Sequence, residues 1–391
     1  MPWNKVSVME QRQEFVRLAL QEGANRRQLC RRFGISPDVG YKLIKRWKTG
    51  DHELADQSRR PKRTPRRSAA SVEAQVLAVR DKHSAWGARK IVHCLKRDGV
   101  ASPAQSTVHQ ILCRNGRVEP SKNAPPNPGH RFEKEAPNLL WQMDFKGHRA
   151  LADGSRCHPL TIVDDYSRYA VCLQACINEQ RAIVQEHLTA TFQRYGLPEA
   201  FYTDNGSPWG DTSGVHWTGL KVWLLKLGIR VIHARPCHPQ ARGKNERFHR
   251  TMDAEVFAMH RFRTLSEVQC AFDDWRMIYN HERPHQGLDM CVPADRFRPS
   301  SRTMPERIPE IEYDSSEVVR RASSTRAYIS FKGQLWKVPQ AFARELLAIR
   351  PLDRDGRYGI FFASWHVASI DLTDGKSVSD VSEQMSAMSP G

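Results

Sequence analysis

The chain has 391 residues, of which 40% are hydrophobic and 26% charged, a balance that fits folded globular domains and excludes a disordered chain. The formal net charge of +17, with a pI of about 9.7, calls for a polyanionic partner. No stretch approaches the roughly 18 apolar residues that a membrane span needs, and the polar opening from Met1 to Met9 does not read as a signal peptide. Nine cysteines, odd in number and without a Cys-x-x-Cys pair, read as free buried thiols in a reducing cytoplasm. The charge is uneven. Residues 1–135 hold 28 Lys and Arg against 13 Asp and Glu, and the remainder holds 32 against 30, so polyanion affinity is expected mainly in the first third.

Three helices are expected first: Glu10 to Glu22, with Phe15, Leu18 and Ala19 on one face, then Arg26 to Phe33, then a helix from Pro37 capped by Ser36. The third carries Tyr41, Lys42, Lys45, Arg46 and Lys48. Helix, glycine turn and basic helix in that order resemble a helix-turn-helix, whose last helix enters the major groove of DNA. This first DNA-binding domain spans 1–57. Residues 58–70 form a linker in which Arg59, Arg60, Lys62, Arg63, Arg66 and Arg67 repel one another and two prolines forbid a helix, as in arms that lie along a minor groove. Helices at Ser71 to His83, Gly87 to Arg97 and Ser106 to Asn115, the last capped by Ser106 and stopped by Gly116, make a second helix-turn-helix-like domain at 71–118. A Pro-, Asn- and Gly-rich linker follows at 119–135.

An α/β domain is expected at 136–300. Its strands run at about 138–149, 157–164 and 168–175, followed by a helix at 179–195, a strand at Ala200 to Thr203, a helix at 216–227, a strand at Arg230 to His233 and helices at 242–260 and 264–281. Three carboxylates stand at the edges of these elements. Asp144 ends the apolar run from Leu139 to Met143, Asp204 follows a strand and precedes an Asn-Gly turn, and Glu246 opens a helix. Oxygen ligands of this kind suit hard cations such as Mg²⁺, and a pair of such ions can clamp both oxygens of a phosphoryl transfer. Lys244, Arg247 and Arg250 flank Glu246, and Arg250 shares its helix face, placed to hold a phosphate. Further on, Arg326 to Val338 alternates about a Gly turn as a hairpin does. Leu346 to Pro351, Tyr358 to Ser364 and Val367 to Leu372 add more short strands to a small domain at 325–372, and a disordered tail is expected at 373–391.

Six segments occur in an order that resembles the Asp-Asp-Glu core of retroviral integrases and bacterial insertion-sequence transposases: Trp141-Gln-Met-Asp144, Val163 to Arg168, Thr203 to Ser207, Arg235 to Gln240, Gly243 to Glu246 and Tyr279 to His285. The resemblance implies an α/β multidomain chain: a ribonuclease-H-like catalytic core preceded by helix-turn-helix modules and followed by a small β-barrel. It implies Asp144, Asp204 and Glu246 as catalytic metal ligands for two Mg²⁺ ions, with Mn²⁺ as a substitute. The implied activity is that of a DNA transposase. Such an enzyme binds terminal inverted repeats, hydrolyses the phosphodiesters at the element ends and joins the freed 3′-hydroxyl to target DNA. It acts on double-stranded DNA as a homo-oligomer on paired ends, in a bacterial cytoplasm at the nucleoid and away from any membrane. The rival readings are a ribonuclease-H-like nuclease without joining activity and a catalytically dead DNA-binding regulator; tandem DNA-binding modules argue against the first and an intact triad against the second.

Other polar residues are expected to be structural. Asp164 and Asp165 belong to a turn with Ser167 and Arg168, and His233, His238, His281 and His285 have no cysteine partners for zinc. The zinc-binding His-His-Cys-Cys module of retroviral integrases is not visible. The 41 residues between Asp204 and Glu246 exceed the usual integrase spacing, with Gly210 to Gly214 as the inserted loop. Relatives often carry Lys or Arg seven residues after the catalytic Glu, where this chain has Asp253, which is expected to point aside or to pair with a cation such as Arg250 or Arg276.

Overall fold

The computed structural model describes residues 7–58, 67–118, 133–210, 217–233, 243–373 and 377–378. It divides into two compact units, Met1–Ser68 and Ala69–Gly391. The first is a three-helix bundle of α1 (Val8–Ala19), α2 (Arg26–Arg32) and α3 (Pro37–Lys48). Ser7 and Glu10 form a reciprocal capping box on α1, and Ser36 caps α3 through the Val39 amide. Phe15, Val16 and Ala19 meet Cys30, Leu43, Ile44 and Leu54 in a small core. Gly40 lets α3 lie close there, because a Cβ would come within 2.6 Å of the Cys30 sulfur and 2.9 Å of the Phe15 ring.

The second unit begins with α4 (Ala70–Lys82), α5 (Ala88–Arg97) and α6 (Gln105–Arg114), packed around Val76, Ile91, Val108 and Ile111. Ser106 does not cap α6. The helix starts one residue earlier, Ala104 occupies the cap position and no side chain bonds to the first turn. Gly116 does end the last turn, at φ +66°.

A mixed sheet follows. Its strands are β1 (Trp141–Phe145), β2 (Arg149–Ala150), β3 (Arg156–Asp164), β4 (Ala170–Cys176), β5 (Ala200–Thr203) and β6 (Arg230–His233). In space β3 lies between β4 and β1, and β5 and β6 continue beyond β1, with short β2 paired to the start of β3. The β4–β3–β1 pairs are antiparallel, whereas β1–β5 and β5–β6 are parallel. The parallel pairs need crossovers, supplied by α7 (Arg181–Tyr195) and α8 (Gly219–Lys226). Strand alternation sorts the side chains. Trp141, Met143, Leu160 and Ile162 pack with Val184, Leu188 and Phe192 of α7 and Trp223 of α8. The opposite face, with Cys157, Val163 and Leu173, packs on α9 (Gly243–Met252) and α10 (Leu265–His281) through Phe248, Met252 and Phe272. The expected helix at 242–260 is interrupted: α9 ends at Met252, and Asp253–Phe257 continues as a π turn.

After the short α11 (Pro293–Arg296) the chain forms β7 (Val318–Arg321), β8 (Tyr328–Phe331), β9 (Gln334–Lys337), β10 (Leu346–Pro351), β11 (Arg357–Phe362), β12 (Trp365–Asp371) and β13 (Ser377–Val378). The expected hairpin is β8–β9. The described strands do not close into a ring: β13–β12–β11–β10–β7 is an open antiparallel sheet, and the hairpin pairs only with itself. The two layers share a core of Ile329, Trp336, Phe342, Ile349 and Ile360. Most of the tail at 373–391, the Gly210 to Gly214 loop beyond its first residue, and the basic residues Arg59, Arg60, Lys62, Arg63 and Arg66 lie outside the described residues. The thiols are only partly buried, since Cys113, Cys270 and Cys291 are exposed.

Gly196 ends α7 at φ +77°, and a Cβ there would meet the carbonyl oxygens of Ser300 and Arg302 at 2.7 and 2.8 Å. Gly196→Ala should therefore lower the unfolding free energy by roughly 2–4 kcal/mol, through left-handed strain plus overpacking against backbone that cannot yield. Urea unfolding of the full chain measures this; an unchanged midpoint would contradict the close approach.

Candidate active site

The sheet alternation that buries Trp141 and Met143 against α7 turns Gln142 and Asp144 toward the α9 face. Parallel pairing of Trp141 with Phe201 and of Gln142 with Tyr202 then sets the ends of β1 and β5 side by side. Asp144 and Asp204 leave these adjacent strands at the same end, and both are half-buried. The loop after Asp204 is shaped by the Gly206 amide, which donates to Asp204 Oδ1 at 3.0 Å. His233, at the end of β6, donates from Nδ1 to the Asp204 carbonyl at 3.0 Å. That histidine is thus a brace for the strand end.

Glu246 lies in the first turn of α9 and is exposed. Apolar contact through Phe248 and Met252 seats α9 on the sheet, and three polar links fix its position along β1. At its start, Lys244 Nζ donates to Asp165 Oδ1 at 2.5 Å, and the same oxygen accepts from Gln142 Nε2 at 2.7 Å. In its middle, the Thr161 hydroxyl donates to the Asp144 carbonyl at 3.0 Å and so accepts from His249 Nε2 at 2.8 Å, which makes His249 the neutral Nε2–H tautomer. At its end, Asp253 pairs with Arg149 at 2.8 Å and Lys146 at 3.3 Å. Asp253 therefore has cationic partners, but they come from the segment after β1 and not from Arg250 or Arg276.

Burial accounts for the electrostatics of these links. It pushes the Lys244 ammonium down to about 8, with Arg168 adding to the fall and Asp165 opposing it. It pushes His249 down to about 4, with Lys146 adding and Asp253 opposing. Asp164 is raised by burial although Ser167 and the Asn138 amide donate to it. Asp164 and Asp165 are thus built into the turn, as expected of them. Among the described residues no three His, Cys, Asp or Glu side chains are gathered closely enough to hold an ion. The approach to α9, residues 234–242, lies outside the described residues, and with it His238.

The integrase core domain matches residues 134–239, and a second integrase core model matches 227–293. The C-terminal domain of the IS481 family of transposases matches 318–377, a helix-turn-helix domain 11–62 and a homeodomain-like domain 39–112. The chain thus carries an integrase core and the C-terminal domain of an insertion-element transposase. A 39.2 kDa protein of insertion element IS476 from Xanthomonas euvesicatoria is 27% identical over 61% of this chain and 68% of its own length. A 31.7 kDa protein of insertion element IS407 from Burkholderia multivorans is 28% identical over 41% of this chain, which spans about half, 55%, of that relative. A chain of the simian T-cell lymphotropic virus intasome, in complex with PP2A regulatory subunit B56 gamma, aligns at 17% identity over 75% of this chain and 99% of its own, with a TM-score of 0.37, too loose to fix any detail.

The transposase presents its sequence-expected basic residues unequally. Tyr41, Lys42, Lys45 and Lys48 are exposed on α3, as are Arg247 and Arg250 on α9 and Arg67 before α4. Two others are turned inward. Arg46 ion-pairs with Asp51 at 2.6 Å and donates to the Ala55 carbonyl at 2.6 Å, bracing its own bundle. Lys244 is bound to Asp165, so neither is a freely offered DNA contact. Sequence reasoning missed Gln142, Thr161, His249, Lys146 and Arg149. The one signal for His249 was its place three residues after Glu246, on the side of α9 that carries apolar Phe248 and Met252.

His249 titrates lower in the folded protein than in the unfolded chain. Its contribution to stability is present above the ordinary imidazole value of 6.5 and is lost as pH falls through that value toward about 4. The loss should approach about 3 kcal/mol, and His249→Gln should flatten the pH dependence of urea unfolding between pH 7 and 4.5. Parallel curves for the two proteins would show that His249 is not buried neutral against Thr161.

Proposed function

We propose that this transposase binds the terminal inverted repeats of an insertion sequence, cleaves a phosphodiester at each end and joins the freed 3′-hydroxyl to target DNA in a Mg²⁺-dependent reaction. What supports the reading is the parallel pairing of β1 with β5, which sets the strand positions of Asp144 and Asp204 side by side, with Glu246 in the first turn of α9, a helix that packs on the same sheet. Their donors are all carboxylate oxygens, a set that fits a hard divalent cation and not zinc. Two bound Mg²⁺ ions would activate the attacking hydroxyl and stabilise the leaving oxygen. The chain's own residues do the rest. Asp144 is held by strand pairing and Asp204 by the Gly206 and His233 hydrogen bonds, so they need little reorganisation. Arg247 and Arg250, exposed beside Glu246, are placed to take phosphates in bidentate fashion. Tyr41, Lys42, Lys45 and Lys48 on α3 follow the DNA backbone or groove.

The working divisions we assign are 1–57 and 71–118 for end recognition, joined by the basic arm at 58–70, and 136–300 for chemistry, with assembly of several copies on paired ends near the nucleoid. The uneven charge supports this split, since the first third holds most of the positive excess.

Asp144→Asn, Asp204→Asn and Glu246→Gln should each reduce cleavage and joining at least about 100-fold in Mg²⁺ while leaving end binding near normal, because each removes charge and keeps shape. An electrophoretic binding assay and a strand-transfer assay on a defined element end measure both. Substantial Mg²⁺-dependent joining by any one variant would remove that residue from the set. End binding should also fall steeply with salt through counterion release; salt-insensitive binding would contradict a phosphate-dominated contact.

A further inference from the structure

The turn after β3 carries a second acidic group whose contacts reach both sides of the candidate site. Asp165 is 1% exposed. Its amide donates to the Leu140 carbonyl at 2.9 Å, and its Oδ2 accepts the Lys134 amide at 2.8 Å, so its backbone and one oxygen are fixed by the chain entering β1. Its other oxygen accepts two donors at once, Gln142 Nε2 at 2.7 Å and Lys244 Nζ at 2.5 Å. Gln142 stands two residues before Asp144, on the same side of β1 by strand alternation. Lys244 stands two residues before Glu246, in the same helical turn. One carboxylate oxygen therefore ties the strand of one candidate ligand to the helix of another.

The link is an asymmetric one. Lys244 is only 15% exposed at its side chain and Asp165 not at all, so removing either partner leaves a buried charge without its complement. The other two links hold the middle and the end of α9, through His249 and Asp253. Among the described residues, the Asp165 contact is the polar link to the strand side that lies in the same turn as Glu246.

We infer that Asp165 is a positioning residue: through Lys244 and Gln142 it sets the first turn of α9 against β1 and so places Glu246 relative to Asp144. The inference rests on the reading above in giving Glu246 a part in the chemistry, but the placement itself can be measured apart from activity.

The test uses the full chain carrying Asp165→Asn or Lys244→Met, with amide hydrogen exchange, melting temperature, and kcat and KM for cleavage of an element end. Asparagine loses the ion pair and presents a donor to the Lys134 amide; methionine removes the ammonium while Asp165 keeps Gln142 and Lys134. Both variants should raise exchange in residues 243–248 roughly tenfold with α10 and the sheet unchanged, and lower kcat roughly 10- to 100-fold with KM for DNA within about twofold. The double variant should cost less than the sum of the two, because both act on one contact. If Asp165→Asn fails to fold, Lys244→Met carries the same test alone. Wild-type exchange in α9 together with wild-type kcat would overturn the inference, as would a uniform rise in exchange across sheet and helices, which is the mark of general destabilisation. Glu246→Gln serves as the reference. Should it prove fully active, the catalytic reading fails, while selective exchange in α9 would still support the positioning and unaltered exchange would still overturn it.

Discussion

The fixing of α9 on the face of β1 is the constraint from which the rest of the site follows. Phe248 and Met252 bury that helix against the sheet, and burial of this kind is strong but without direction. It holds a layer together and leaves the helix able to slide or turn by a fraction of a residue. Hydrogen bonds and ion pairs have geometry, and here three sets of them connect successive points of α9 and the turn after it, at Lys244, His249 and Asp253, to successive points of the strand side, at Gln142 by way of Asp165, at Asp144 by way of Thr161, and at Lys146 and Arg149. A metal-dependent phosphoryl transfer tolerates little misplacement of its ligands, so the polar links matter out of proportion to their number. The π turn at Asp253–Phe257 belongs to the same arrangement. It begins at the residue that pairs with Lys146 and Arg149, and its Glu255 accepts from Trp275 Nε1 at 2.9 Å and pairs with Arg283 at 3.0 Å.

Formal charge overstates what the α4–α6 bundle can offer to DNA. Arg114 is paired with Glu73 at 2.6 Å and Arg117 with Asp81 at 2.9 Å, while Arg80 donates to the carbonyls of Trp86 and Arg117. Lys82 pairs with Glu282 of the core at 3.0 Å, and Arg97 donates to the Glu282 carbonyl. These cations hold the bundle together and onto the sheet domain. The exposed Lys42, Lys45 and Lys48 of α3 are a different case, since they stand on the surface of a bundle whose one inward cation, among those expected to touch DNA, is Arg46. The cations that remain exposed on α3 are thus not spent on holding their own bundle together, as several of those on α4–α6 are.

Local signals were legible in the sequence and long-range partners were not. Ser36 before Pro37 announced α3, the Asn-Gly turn marked the end of β5 at Asp204, and alternation about a Gly turn announced β8 and β9, because each depends on residues within a few positions of one another. The fold class and the ordering of the three carboxylates came from six short segments in sequence order. What failed was of another kind. Asp253 and Arg149 are 104 residues apart, and nothing near either residue specifies the pair. Lys244 looked like a surface cation because its sequence neighbours are polar; its partner Asp165 comes from a different strand turn. Ser106 was a plausible cap until the helix began one residue before it. The edge strand β7 has only two apolar residues, too few to show alternation, and the closure of the C-terminal strands into a barrel depended on edge pairing that periodicity cannot report.

The central claim is that strand pairing and a pinned helix bring Asp144, Asp204 and Glu246 to one metal-binding site. The most direct measurement is anomalous diffraction from Mn²⁺ in crystals of the full chain on element-end DNA. The account predicts Mn²⁺ coordinated by oxygens of Asp144, Asp204 and Glu246 at about 2.2 Å, close to the distances hard divalent ions adopt, with the Lys244–Asp165, His249–Thr161 and Asp253–Arg149 contacts intact. Manganese bound elsewhere, or held by Asp253 in place of Glu246 with those contacts broken, would contradict it.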